Sequence, residues 1–146
     1  MTLQKTIEYY KNLNKQSATA FAEKIPDIQI QRIIEESFKG NVHLSMVFSN
    51  AVNASEKEFL IAAYYALKYD DFDVTLELGS YAIQNYTYEQ TIAELSIPKT
   101  VEILKEYKVT VDNCICIFKL KEKDELTFLI KTKTEYIFIT EIFWWS

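Results

Sequence analysis

The side chains able to do chemistry in this chain are few, and their spacing restricts what they can do. His43 is the single histidine, and Cys114 and Cys116 are the only cysteines. Together they could offer three zinc ligands, but structural zinc sites draw on paired C-x-x-C-type knuckles, which a lone C-x-C does not supply. A nucleophile–histidine pair would have to use His43, whose neighbours Val42 and Leu44 are apolar, so it reads as a structural residue. On one continuous strand the two thiols would share a face about 6.6 Å apart, a poor separation for a disulfide. Unpaired cysteines of this kind suit a reducing cytoplasm. Gly40 and Gly79 are the only glycines, which excludes the phosphate-binding P-loop, the dinucleotide fingerprint and the nucleophile elbow. The run Asp71-Phe72-Asp73-Val74-Thr75 begins like a calcium loop, but Leu76 stands where the sharp turn needs Gly, and Ala82 where the bidentate Glu belongs. No catalytic residue, metal or cofactor is therefore expected.

One constellation remains. Tyr64, Tyr65 and Tyr69 precede the acidic run Asp70, Asp71 and Asp73, and Glu77, Tyr81, Tyr86, Tyr88 and Glu89 follow it. Carboxylates accept charge-assisted hydrogen bonds, and tyrosine offers rigid, amphipathic contact area at low entropic cost. That mixture suits a Lys/Arg-rich protein surface, with Asp70, Asp71, Asp73, Glu77, Tyr81 and Tyr69 as the expected partner-binding residues. Trp144 and Trp145 form a second candidate. Adjacent residues on a strand face opposite ways, so one can close the core and the other is free for self-association.

These groups must be positioned by the elements around them. Residues 2–23 carry a helical stripe of Leu3, Ile7, Tyr10, Leu13 and Phe21, ended by Pro26. Asp27 then caps a second expected helix bearing Ile30, Ile33, Ile34 and Phe38, with Gly40 as its C′ residue. Residues 41–53 fit both periods: Val42, Leu44, Met46 and Phe48 alternate as in a strand, while Leu44, Phe48, Ala51 and Val52 suit a helix, which the flanking context favours. Ser55-Glu-Lys-Glu58 is a capping box, and the helix it opens is apolar almost all round from Phe59 to Leu67, as in a buried central helix. The acidic run starts a further helix to about residue 86. Thr87 with Gln90 caps another short one, and Pro98 opens a helix over 99–107. Residues 109–121, 126–133 and 136–144 read as three antiparallel strands joined by charged turns, with Lys119, Lys121, Lys131 and Lys133 guarding strand ends. One face of this sheet should pack on the helices, and the other is half covered at best.

The expected architecture is α+β: five to six helices over residues 1–108 packed on a three-stranded antiparallel meander over 109–146, as a single domain of 146 residues. Hydrophobic residues make up 49% of the chain, which favours a folded core over disorder. Net charge is −5 and lies in the middle: residues 54–108 hold five basic and ten acidic groups. An acidic surface repels nucleic acid and attracts basic partners. No apolar run is long enough to span a membrane, and the first residues lack a signal-peptide pattern. The functional expectation is a small, acidic, cytoplasmic protein-binding module, of the bacterial immunity or toxin-inhibitor kind, that occludes the active site of a basic toxin or effector. The alternatives are a homodimeric adaptor closed through the C-terminal strand, and an enzyme of unknown chemistry.

Overall fold

The computed structural model describes residues 28–40, 42–67, 82–122 and 125–143. The expected helix over 2–23, the acidic run, and Trp144 and Trp145 lie outside the described residues. Within them, six strands form one antiparallel sheet: β1 (Arg32–Phe38), β2 (Val42–Ser49), β3 (Ala82–Tyr86), β4 (Cys114–Glu122), β5 (Glu125–Thr132) and β6 (Tyr136–Phe143). Their order across the sheet is β1-β2-β6-β5-β4-β3. Three helices accompany them: α1 (Glu56–Ala66), α2 (Tyr88–Glu94) and α3 (Pro98–Glu106).

This corrects the expected five-to-six-helix layer on a three-stranded meander. The segment bearing Ile33, Ile34 and Phe38 is strand, not helix, and Gly40 serves the connection to β2 with φ +82, a conformation costly for any residue with a Cβ. Residues 42–49 are strand too, so the period of two in Val42, Leu44, Met46 and Phe48 wins over the helical alternative. The expected helix running to residue 86 gives way to β3 over its last five residues. The reason in each is pairing to a neighbouring strand, β1 to β2 across the turn at Gly40 and β3 to β4. Val42 pairs with Phe143 and Phe48 with Ile137, so β2 is stabilised by partners about ninety to a hundred residues away. β-branched and aromatic residues accept such pairing readily, and tertiary pairing overrides a weak local periodicity.

The meander itself is present as β4-β5-β6. At its centre both faces are covered. Phe128 and Ile130 on β5 point one way and Leu129 the other, and all three are buried. On one face α1 sets Phe59, Leu60 and Ala63 against Val47, Leu129 and Phe138. Phe59 stacks on Tyr136 with ring centroids 4.9 Å apart, and the Tyr136 hydroxyl donates to the Ala54 carbonyl at 2.8 Å. The capping box forms as its sequence demands, Glu58 N donating to Ser55 Oγ at 3.1 Å and Ser55 N to Glu58 Oε1 at 3.2 Å. On the opposite face α3 and the short connection from α2 lay Leu95, Ile97, Ile103 and Leu104 over Leu44, Met46, Phe128 and Ile139.

A carboxylate from the sheet holds α3 in place. Glu141 on β6 is fully buried. It accepts from Ser96 N at 2.8 Å, Ile97 N at 3.1 Å and Thr100 Oγ1 at 2.7 Å. Ile97, the N-cap, offers no side-chain acceptor, and Pro98 removes one orphan N–H. Glu141 thus does from across the core what an N-cap side chain does locally.

The β5–β6 turn is closed by Thr132, whose hydroxyl donates to the Glu135 carbonyl at 3.1 Å while accepting from Glu135 N at 3.0 Å. Burial pushes the Glu135 carboxyl above its ordinary pKa. A raised carboxyl pKa means the fold disfavours the ionised form. The cost is absent at acid pH, where both folded and unfolded states are protonated, and complete at neutral pH. Glu135→Gln is expected to raise stability by about half a kcal/mol at pH 7, water screening most of the burial cost, and to change nothing at about pH 3.5. Urea denaturation at the two pH values checks this.

Candidate functional site

The end of the sheet where β3 stops short of the start of β4 carries the exposed apolar surface best suited to contact. β3 pairs with β4 from Ala82↔Lys121 to Tyr86↔Ile117 and goes no further. Residues 114–116 of β4 are therefore paired only on the β5 side. The ladder with β5 shifts register here, Cys114 lying opposite Thr132 and Cys116 opposite Lys131, so Ile115 is extruded as a bulge. Ile115 is 58% exposed and neighbouring Val111 54%.

Both residues are held firmly. At the end of α3, Lys108 takes a left-handed φ of 58, and Val109 N returns to the Leu104 carbonyl at 2.9 Å. Asn113 braces the next turn: its Oδ1 accepts from Thr110 N at 2.8 Å and its Nδ2 donates to the Lys108 carbonyl at 2.6 Å. Asn113 O also receives Lys133 N at 3.0 Å, tying the turn to the strand beside it. An apolar side chain on a braced turn loses little entropy on binding.

Tyrosines and a carboxylate surround this pair. Tyr86, Tyr88 and Glu89 line, with Val111 and Ile115, a shallow hollow of about 280 Å³. The Thr87–Gln90 capping box sets α2, Gln90 N donating to Thr87 Oγ1 at 3.1 Å and Thr87 N to Gln90 Oε1 at 2.9 Å. The Tyr88 hydroxyl donates to the Val109 carbonyl at 3.0 Å. Burial first, then Cys114 and Glu89, raise its pKa. Lys119 Nζ lies 2.6 Å from Glu94 Oε1 and 3.4 Å from the Tyr86 hydroxyl, so the end of α2 is clamped to β4. Burial alone would lower the Lys119 pKa, but its bonds to Glu94 and Tyr86 outweigh that and the net shift is upward. The hydrogen bond to Glu94 raises Tyr86 further than Lys119 lowers it. Lys119 belongs to this clamp and does not guard a free edge, because β4 is flanked by β3 and β5.

The chemistry available here is contact chemistry. Burial pushes both thiols above the ordinary cysteine pKa, with Cys116 adding to the shift at Cys114 and Glu56 adding to that at Cys116. Both stay protonated at neutral pH and are poor nucleophiles. The bulge also changes their relation. Cys114 packs on the α2/α3 side, while Cys116 feels Glu56 and Lys131 on the α1 side, so they do not share a face. His43 sits on β2, three strand spacings or about 14 Å from β4. Its Nδ1 pairs with Ser37 Oγ at 2.7 Å. The three candidate zinc ligands are thus spread across the sheet, and no group of three or more His, Cys, Asp or Glu among the described residues is placed to hold a metal ion.

Of the acidic aromatic constellation, Tyr86, Tyr88 and Glu89 are brought together here. Asp70, Asp71, Asp73, Glu77, Tyr81 and Tyr69 lie outside the described residues, although Tyr81 immediately precedes Ala82 of β3 in the chain. Sequence reasoning missed Val111, Ile115 and Asn113, because it ran one straight strand through residues 109–121. A second hollow of about 410 Å³ lies between the β1–β2 connection and the start of α3, with Phe38, Lys39, Lys99 and Glu102 on its walls. Its charges are of both signs and it has no comparable aromatic rim. No described helix is long and apolar enough to cross a membrane. No family model, curated protein or solved structure matches the chain.

Proposed function

We propose that this chain is a small acidic protein-binding module of the immunity or inhibitor kind, working in the bacterial cytoplasm, which neutralises a basic toxin or effector by covering its active site. The observation that supports this reading most is the pair of exposed, rigidly mounted apolar side chains Val111 and Ile115 beside Tyr86, Tyr88 and Glu89. Interface hot spots take this form, an apolar and aromatic centre with charge at its rim. The acidic stretch 69–77 leads in sequence to β3, which borders this surface, and residues 54–108, with five basic and ten acidic groups, carry a net charge equal to that of the whole chain, −5. In the mechanism, Val111 and Ile115 enter an apolar recess of the partner and the tyrosines fill the surrounding area. The carboxylates face the lysines and arginines with which a basic protein handles nucleic acid or another polyanion. Attraction between the two charge patterns speeds encounter, and the desolvated apolar contacts slow release.

The test is capture followed by titration of activity. The immobilised protein is exposed to lysate and eluted with rising salt, and the eluted partner is identified and assayed alone and with added module. The expected result is a basic protein whose activity falls to background at one equivalent. An acidic partner, or full activity in the saturated complex, would refute the proposal.

A further inference from the structure

The opposite border of the described sheet is formed by β1, which among the described residues is hydrogen-bonded to β2 alone and is exposed at every position except the half-buried Ile34. It is seven residues long, carries no proline, and is paired with β2 in one unbroken register from Arg32↔Phe48 to Phe38↔Val42. A straight edge of this kind is a template for another strand. Its own sequence, Arg32-Ile-Ile-Glu-Glu-Ser-Phe38, selects the occupant.

Two copies of β1 related by a two-fold axis normal to the sheet pair antiparallel, with like faces continuous. Only registers that place a residue opposite its own copy at the axis keep the faces matched. Centring on Glu35 uses all seven residues but sets Glu35 against Glu35 of the second copy, which like-charge repulsion opposes. Centring on Ile34 removes that clash. Ile34 then meets Ile34 of the second copy, and Arg32 stands opposite Glu36 on both sides of it, giving two opposite-charge pairs flanking an apolar contact. On the other face Ile33, 44% exposed, meets the aliphatic stem of Glu35 from the second copy. Arg32 is already oriented, its guanidinium lying 4.8 Å above the Tyr107 ring.

We propose that the protein self-associates through β1 in this register, joining two six-stranded sheets into one of twelve strands. The contact is short, so the dimer is weak and concentration-dependent. Because β1 and the β3–β4 border lie at opposite ends of the sheet, the dimer would present two partner-binding surfaces at its outer ends. Self-association and partner binding can therefore fail separately.

Sedimentation velocity on the full chain from about 5 µM to about 500 µM, the range in which so small an interface should populate both species, provides the test. The wild type is expected to shift from monomer to dimer across it. Arg32→Glu and Glu36→Arg should each abolish the shift by setting like charges opposite one another, and the double exchange R32E/E36R should restore it. Far-UV circular dichroism and urea midpoints confirm that each variant is folded. A wild type that stays monomeric throughout overturns the proposal. So does a dimer indifferent to the single exchanges or not restored by the double one. Single exchanges that strengthen association would show instead that these charges guard the edge.

Discussion

Replacing Glu141 with Ala is expected to lower the unfolding free energy by about 4 kcal/mol, a large part of the 5–15 kcal/mol available to a domain of this size. The carboxylate is fully buried and accepts three hydrogen bonds, two of them from the backbone N–H groups of Ser96 and Ile97 that lead into α3. Hydrogen bonds to a charged group contribute about 1.5–3 kcal/mol each, and a buried donor left unpaired costs about 1–3 kcal/mol. Ile97 N and the Thr100 hydroxyl would both be stranded, and the shortened side chain would leave a cavity. Glu141→Gln keeps the volume and one acceptor but turns an NH₂ group toward donors, and should cost about 2 kcal/mol by the same reasoning. Urea denaturation followed by circular dichroism gives both values. Losses below about 1 kcal/mol for the Ala variant would show that α3 is anchored chiefly by its apolar face, not by this carboxylate. Amide exchange in residues 98–106 should also rise before that of the central strands β5 and β6.

Ile115→Arg is expected to weaken binding to the captured partner by about 100-fold, close to 3 kcal/mol, with most of the change in the dissociation rate. Ile115 is extruded by the bulge and 58% exposed, so the substitution should leave stability within about 0.5 kcal/mol of the wild type. The arginine would put a cation where a basic partner brings its own. Glu89→Lys should act differently. It stands at the rim, so it should slow association and flatten the salt dependence, with an affinity loss of about tenfold. Glu102→Gln, beside the other hollow, serves as the control and should change neither rate. Titration calorimetry and surface plasmon resonance at two salt concentrations separate these outcomes. Equal affinities for the wild type and Ile115→Arg would remove the bulge from the interface.

The elements legible in the sequence are those specified by their own residues. The Ser55–Glu58 and Thr87–Gln90 boxes each satisfy orphan N–H groups within four residues, and Pro98 opens α3 for an equally local reason. The apolar girdle Phe59–Ala63 announced a buried helix, and the alternation in β5 and β6 announced their pairing. What misled was information carried by partner strands, near or distant in sequence. Ile33, Ile34 and Phe38 fit a helical stripe as well as a strand, and only pairing to β2 decides between them. β3, Ala-Ile-Gln-Asn-Tyr, has no pattern of its own and exists through β4. Inserting β1 and β2 beyond β6 also places the C-terminal strand inside the sheet. The described part of β6, hydrogen-bonded on both sides, has no free edge for the association first expected there.

The candidate site was less legible than the helix caps. Tyr86, Tyr88 and Glu89, members of the acidic aromatic constellation, line the hollow, whereas the residues expected to bind the partner, Asp70, Asp71, Asp73, Glu77, Tyr81 and Tyr69, lie outside the described residues. The bulge that extrudes Ile115 has no sequence signature, because both register choices leave β-branched residues along the strand. Glu141 did leave a trace: in Tyr-Ile-Phe-Ile-Thr-Glu-Ile-Phe it occupies the same face as Ile137 and Ile139, where a charge must find buried partners.

Amide chemical-shift mapping of the labelled protein, titrated with its captured partner, tests most directly whether the bulged border of the sheet is the docking surface. Shifts and exchange protection concentrated in residues 82–89 and 109–117, with β1 and the start of α3 unchanged, are the predicted result. Perturbations confined to other surfaces, with Val111 and Ile115 as exposed in the complex as they are free, would contradict it.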